Sequence, residues 1–234
     1  MNHVYEKKPH RPLYRVIPAI LSLTLLTACS LHGVTGTSAS LASEVSGTVS
    51  GDMGDTAVDS SVSSDFDDED RDASWDKSSS TLITLNGSSA SVDGSGASAD
   101  QNIITITSSG TFVVSGTLSD GQILIDTKNT DPVRLVLNGA AITSSDSVPI
   151  YVENAAKVVL ILAEGTKNNL ADGSGYSYSD EEEEEPNAVL FSKSDLTING
   201  TGSLTIDANF KHGINCKDTL KILDATLDVD AVSD

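Results

Sequence analysis

From Val133 onward, apolar residues come in pairs two positions apart, each pair followed by a short polar turn. Leu196 and Ile198 open one unit, LTINGTGSLTI; Leu220 and Ile222 open the next, LKILDATLDV. Two earlier units open at Val133 (VRLVLNGAAI) and Val158 (VVLILAEG), with nearly the same separation. Residues two apart on a strand face the same way, so each pair marks one inward face. The habit extends through Ile104 and Ile106, Phe112 and Val114, Ile123 and Ile125, and Leu227 and Val229. Between the pairs stand Ser, Thr, Asn, Asp and Gly, which favour turns and disfavour helix interiors. A fixed period of ~24 residues built from short strands predicts a β-solenoid with a thin aliphatic core. The 4% aromatic content agrees with a core filled by aliphatic stacks.

One spacing departs from the period. The step from Val158 to Leu196 is longer than the others by about half a turn of the repeat. The excess falls in Ala171 to Pro186, ADGSGYSYSDEEEEEP, which has no strand pattern. Insertions into repeats go to loops, commonly on the binding face. An acidic loop over 171–186 is therefore expected.

Residues 1–28 read as a signal peptide. Lys7, Lys8, Arg11 and Arg15 form a basic start, and Ile17 to Leu26 a short apolar stretch interrupted by Pro18, Ser22 and Thr24. That is too short for a comfortable membrane span. The segment ends in Leu26-Thr27-Ala28-Cys29, which resembles the lipobox of bacterial lipoproteins, so lipidation of Cys29 is expected. The corresponding location is the bacterial cell envelope, outside the cytoplasm, with the membrane touched through the N-terminal lipid. The other cysteine, Cys216, shares parity with Ile214 and is expected as a small core residue without a disulfide partner. Residues 29–80 are rich in Ser, Gly, Asp and Thr and carry Asp65-Phe66-Asp67-Asp68-Glu69-Asp70; low hydrophobicity with high charge predicts a disordered, self-repelling tether. The folded domain is expected over 81–234.

The net charge is −20, and beyond residue 28 ten Lys plus Arg face 33 Asp plus Glu. Phosphate recognition needs clustered Lys and Arg, so nucleic acid is excluded as a partner. An acidic glycan is disfavoured unless a cation intervenes, and calcium, taking about six to eight oxygen ligands, suits that role. The candidate metal ligands are Asp172, Asp180, Glu181, Asp195 and Asp218. A solvated acidic loop is the plain alternative, since EF-hand spacing and the Gly-Gly-x-Gly-x-Asp nonapeptide are absent.

Lys193-Ser194-Asp195-Leu196 and Lys217-Asp218-Thr219-Leu220 are separated by one period of the repeat. Stacked in successive turns, their lysines and aspartates would form a ladder able to bond sugar hydroxyls and uronate oxygens. Asn209, Lys211 and His212 would extend it, making Lys193, Asn209, Lys211, His212 and Lys217 the candidate carbohydrate-binding residues. The competing reading is local exposed ion pairs of little energetic value.

Four segments carry a family resemblance: GTFVVSGTLSDGQILID (Gly110 to Asp126), VRLVLNGAAITSSDSVPIYV (Val133 to Val152), PNAVLFSKSDLTINGTGSLTI (Pro186 to Ile206) and HGINCKDTLKI (His212 to Ile222). They resemble the bacterial cell-surface family of carbohydrate-binding parallel β-helix proteins. The resemblance implies an all-β, right-handed parallel β-helix related in fold to pectate and other polysaccharide lyases. It also implies bound calcium and recognition of cellulose and acidic sugars such as polygalacturonate. Because the chain stops in mid-pattern at Ala231-Val232-Ser233-Asp234, the domain is expected to be truncated.

The function expected is that of a monomeric, non-catalytic surface lipoprotein that binds polysaccharide with calcium assistance. A pectate-lyase-like eliminase is one alternative. Beyond residue 28, Arg71 and Arg134 are the only arginines, and Lys193 or Lys217 could act as base only with a pKa lowered by several units, which neighbouring aspartates oppose. A structural or adhesive surface protein is the other.

Overall fold

The computed structural model describes residues 66–178 and 185–233, all within the unit Ser60–Asp234. The expected signal peptide, Cys29 and most of the expected tether lie outside the described residues. A helical turn, α1 (Asp68–Arg71), is followed by β1 (Thr81–Gly87), β2 (Ala90–Asp93), β3 (Ala97–Asp100), β4 (Ile103–Ile106) and β5 (Gly110–Leu118). Then come β6 (Gln122–Asp126), β7 (Val133–Ser144), β8 (Ile150–Asn154), β9 (Val158–Leu162), β10 (Lys167–Asp172) and β11 (Ala188–Ser192). The last are β12 (Leu196–Asn199), β13 (Ser203–Ala208), β14 (His212–Cys216), β15 (Leu220–Ile222) and β16 (Thr226–Ala231).

These strands form two sheets. The larger has ten strands, running β15-β12-β9-β7-β10-β13-β16 with β5, β1 and β2 added beside β7; the smaller runs β14-β11-β8-β6-β4-β3. The protein is all-β, but the expected right-handed parallel β-helix is not what the strands build. Both sheets are mixed and neither closes. β1 and β2 pair antiparallel, as do β3 and β4. The physical reason lies at the N-terminal side. β2 (ASVD) and β3 (ASAD) carry small side chains, and the chain reverses at Gly87 between β1 and β2 and at Gln101 between β3 and β4, both at positive φ, instead of advancing in parallel.

Elsewhere the pairing is parallel and the inward residues align in register. Val133 stands opposite Val158, Val158 opposite Leu196, and Leu196 opposite Leu220. A second column runs Phe112, Leu135, Leu160, Ile198, Ile222. All of these but Leu220 and Ile222, on the outermost strand, are essentially buried in one continuous core. Each such aliphatic side chain contributes roughly 1.5–3 kcal/mol by leaving water. β7 is long enough to serve two neighbours, β9 with its first half and β10 with its second. At its corner the buried Asn168 accepts the N–H groups of Gly139 and Ala140 at 3.0 and 2.9 Å and donates to Thr166 and to the Ser203 carbonyl. Across from the corner the β5–β7 register slips between Val114 and Gly116. Gly116 sits at φ +95°, and a Cβ there would meet the Leu85 carbonyl oxygen at 2.4 Å, so only glycine fits.

β9 and β11 are buried at every position. Strands covered on both faces read as unbroken apolar runs, which is why VVLIL and AVLFS do not alternate. The outer face of β9 is covered by residues expected in the tether. Phe66 to Ser80 instead form a strap. Ala73, Trp75 and Leu82 pack on Val113, Val136, Val159, Ile161 and Ala163. Arg134 holds the strap from below, donating to the carbonyls of Asp72 and Ser74 at 2.9 and 2.6 Å and pairing with the Asp72 carboxylate.

Asp70 is the anchor. It is fully buried, closes a capping box with Asp67, and receives Thr197 Oγ1 at 2.5 Å, Lys157 Nζ at 2.6 Å and Lys221 Nζ at 2.7 Å. Burial would push its carboxyl up, but hydrogen bonds from Lys157, Lys221, Thr197 and the Asp67 backbone outweigh that and hold it far below the usual carboxylate range. Charge density made 65–70 look disordered; the compensating ammonium groups come from Lys157 and Lys221, far along the chain.

A depressed folded pKa contributes stability above the unfolded value of 3.8 and loses it as pH falls below that value. Acidification below about pH 4 is therefore expected to loosen the strap, seen as a change in emission of Trp75, the only tryptophan. Asp70→Asn should do the same at pH 7, costing about 3–5 kcal/mol in chemical denaturation, as for other broken buried pairs. A strap emission unchanged by either would refute the ion cluster as its anchor.

Candidate functional site on the outer face of the smaller sheet

β8, β11 and β14 are neighbours in the six-stranded sheet, with Leu190 opposite Ile150 and Ile214 on the core side. On the other side Phe191 stands opposite Tyr151 and Asn215. Ser192 aligns with Val152 and Cys216, so Glu153, Lys193 and Lys217 follow one another on adjacent strands, spaced ~4.8 Å apart as sheet neighbours. Lys193 Nζ donates to both Glu153 carboxylate oxygens at 3.0 Å and lies 5.5 Å from the Tyr151 ring centre. Lys217 pairs with Glu185 and lies 5.9 Å from the Phe191 ring centre. Both lysines are exposed, so these pairs hold geometry more than they add stability, at about 0.2–1 kcal/mol each.

The structure thus brings Lys193 and Lys217 together but not with the aspartates expected beside them. Leu196 faces Leu220, so Asp195 faces Thr219 rather than Asp218, and its carboxylate accepts the Thr219 N–H at 3.1 Å. Asp218 is exposed on the neighbouring turn. Asp195 directly precedes Leu196, whereas Asp218 precedes Leu220 by two, so the aspartates fall one position short of the stacking distance.

Asp172 is also committed to structure. It is buried and accepts from Tyr176 Oη at 2.8 Å, the Asn209 N–H at 2.6 Å and the Phe210 N–H at 3.3 Å. The Asn209 amide returns to the Asp172 carbonyl at 2.9 Å. Burial pushes the Asp172 carboxyl up, against those hydrogen bonds, and burial together with Asp172 raises the Tyr176 phenol far above its ordinary value. The knot ties the segment after β10 to the turn after β13. Around it Tyr176 packs on Phe210 at 4.7 Å between ring centres, and Tyr178 donates to the Pro186 carbonyl at 2.9 Å. Asp180 and Glu181 lie outside the described residues. Among the described residues, no three His, Cys, Asp or Glu side chains gather as a metal site.

Lys211 and His212 lie at the entry to β14. Lys211 is at φ 57° with Nζ 5.3 Å from the Phe210 ring, and His212 aligns with Ala188 at the edge of the same face. Asn209 is spent on Asp172, so it positions the rim instead of offering its amide outward. Asn215 donates to Asn187 Oδ1 at 2.7 Å. Cys216 packs against the core, donates to the Ser194 and Thr219 carbonyls at 3.4 Å, and has its thiol pushed up by burial. Tyr151, Glu153 and Phe191 escaped sequence reasoning, though the long step from Tyr151 to Phe191 parallels the inserted loop. Arg134, the one arginine on a strand among the described residues, is occupied by the strap. The face therefore offers ammonium groups, a tyrosine edge and amides, which together can bond polyols and carboxylates.

The comparisons agree with that chemistry. The family model described as carbohydrate-binding domain-containing protein matches residues 100–234, more than half of the chain, and the chain belongs to that family. A carbohydrate-binding domain-containing protein of Acetivibrio thermocellus is 41% identical over 136 residues, covering 58% of this chain. The match takes in 48% of that relative, so the chain spans about half its length. Among solved structures, the gadolinium derivative of the polysaccharide lyase-like protein from C. thermocellum is similar, with a TM-score of 0.63 and 38% identity over 65% of this chain and 62% of that one.

Asp172→Ala would leave the Tyr176 hydroxyl and the Asn209 and Phe210 N–H groups without their acceptor. A loss of roughly 1–3 kcal/mol in thermal or denaturant unfolding is expected. Tyr176→Phe, which keeps the carboxylate and its backbone donors, should cost less; equal losses would contradict the knot as drawn.

Proposed function

We propose that the outer face of β8, β11 and β14 is a non-catalytic polysaccharide-binding surface. The observation that carries this reading is the register that stacks Lys193 on Lys217 beside the Tyr151–Phe191 column. Strands at a fixed spacing present equivalent donors at intervals along one line, which suits an extended polymer better than a compact ligand. Lys211 and His212, at the opposite end of β14, border the same face. Family membership supports a carbohydrate ligand. A lyase reading finds less support: the lysines are engaged by Glu153 and Glu185, and elimination needs an unprotonated base beside the acidified carbon. With lipidation at Cys29, the domain would be displayed at a bacterial envelope.

Charge separates two classes of glycan. A chain at −20 repels a polyuronate except where an ammonium or a bridging cation intervenes, whereas a neutral glucan feels no such barrier. Calcium therefore enters the proposal only as a bridge between carboxylates and an acidic glycan. Retention on insoluble pectate should fall when a chelator is added, and retention on cellulose should not. Lys193→Ala with Lys217→Ala should weaken retention on either by about tenfold or more, the equivalent of one charged hydrogen bond. Unchanged retention in that double variant would remove this face as the site. Release of unsaturated uronides from pectate, followed by ultraviolet absorbance, would replace the binding reading with the lyase one.

A further inference from the structure

The strap and the larger sheet enclose a cleft of about 390 Å³, lined by residues unrelated to the lysine face. Its floor is Leu162, Ala163 and Gly200, all buried. One wall is the strap, through Arg71 and the half-buried Trp75; the other is the sheet edge, through Glu164, Thr201 and Asp224. The floor is kept flat by Gly200, at φ +104°, where a Cβ would meet the Leu162 carbonyl oxygen at 2.3 Å. The Asn199 amide, also in the lining, is already used by the Asp70 carbonyl and the Gly200 N–H. The strap wall is preformed, because Asp70 and Arg134 pin it on both sides of Ala73.

We infer that this cleft is a second saccharide site, selective for a neutral oligosaccharide that stacks on Trp75. Its volume falls within the roughly 300–1,000 Å³ of small-ligand sites, enough for a disaccharide-sized segment. The indole supplies a broad apolar face for the C–H side of a pyranose ring. Arg71, Glu164, Thr201 and Asp224 are exposed side chains that converge on the rim, where ring hydroxyls need both donors and acceptors. Two carboxylates against one guanidinium, on a strongly acidic chain, disfavour a uronate there. The strap lies N-terminal to the region the family model matches.

The inference rests on the reading of the chain as a carbohydrate binder, and it names a separate site with its own ligand class. The test uses the full chain, whose single tryptophan reports on the cleft directly. Titration with a cello-oligosaccharide should change Trp75 emission saturably, and an oligogalacturonate of equal length should not. Glu164→Ala with Asp224→Asn, both exposed and neither among the bonding partners that hold Asp70 or Arg134, should weaken that response about tenfold or more. Lys193→Ala with Lys217→Ala should leave it intact. Flat emission with the neutral sugar, a response to the uronate alone, or an undiminished response in the Glu164 and Asp224 variant would each overturn the cleft. Flat emission combined with lysine-dependent retention on polysaccharide would sink the cleft and leave the lysine face standing. Flat emission without any retention would remove both.

Discussion

Parallel register is the constraint on which the rest depends. Each backbone ladder from β5 through β7, β9, β12 and β15 sets Phe112, Leu135, Leu160, Ile198 and Ile222 one behind another. Once those columns are inward, strand alternation leaves no choice about the opposite face. Arg134, Val159, Thr197 and Lys221 must form a column on the outside of the larger sheet. On the smaller sheet the same rule sends Leu124, Tyr151, Phe191 and Asn215 outward. A slip of one residue would exchange core for surface throughout, so the cost of misregistration falls on every strand together.

Both outer faces are then partly covered by chain that lacks a strand pattern. The strap lies over Val136, Val159 and Ile161, and the segment around Tyr176 lies over Phe191 and Ala188. Each cover is pinned by one buried carboxylate, Asp70 or Asp172, and the two solve the burial problem differently. Asp70 is compensated by two ammonium groups and keeps its charge far into the acid range. Asp172 has neutral donors only, so burial dominates and its carboxyl is pushed up. In each case the carboxylate joins sequence-distant elements, and its neighbours shape a surface able to meet a ligand.

The overall charge makes the few exposed cations informative. In a chain of −20, lysines stacked over aromatic rings stand out against an acidic background, and they mark where a glycan could approach. The acidity also separates the two proposed sites. The lysine face can accept a carboxylated sugar, while the Trp75 cleft, rimmed by Glu164 and Asp224, suits an uncharged one.

The aliphatic pairs of the sequence determined the strands, their inward faces and the alignment of Val133, Val158, Leu196 and Leu220, because period-two burial is a local property of each strand. The same spacing placed Lys193 beside Lys217. What it could not decide was how the sheets begin and end: whether weak strands such as ASVD and ASAD fold back antiparallel depends on partners, not on their own pattern. Nor could it show that Asp70, within an acidic run that reads as disordered, would be neutralised by Lys157 and Lys221. Asp195 and Asp218 were legible as a pair, yet a one-position difference in spacing set them against different neighbours. Tertiary structure decided these points because the energy of a buried charge, or of a cleft between strap and sheet, resides in contacts that only the folded chain assembles.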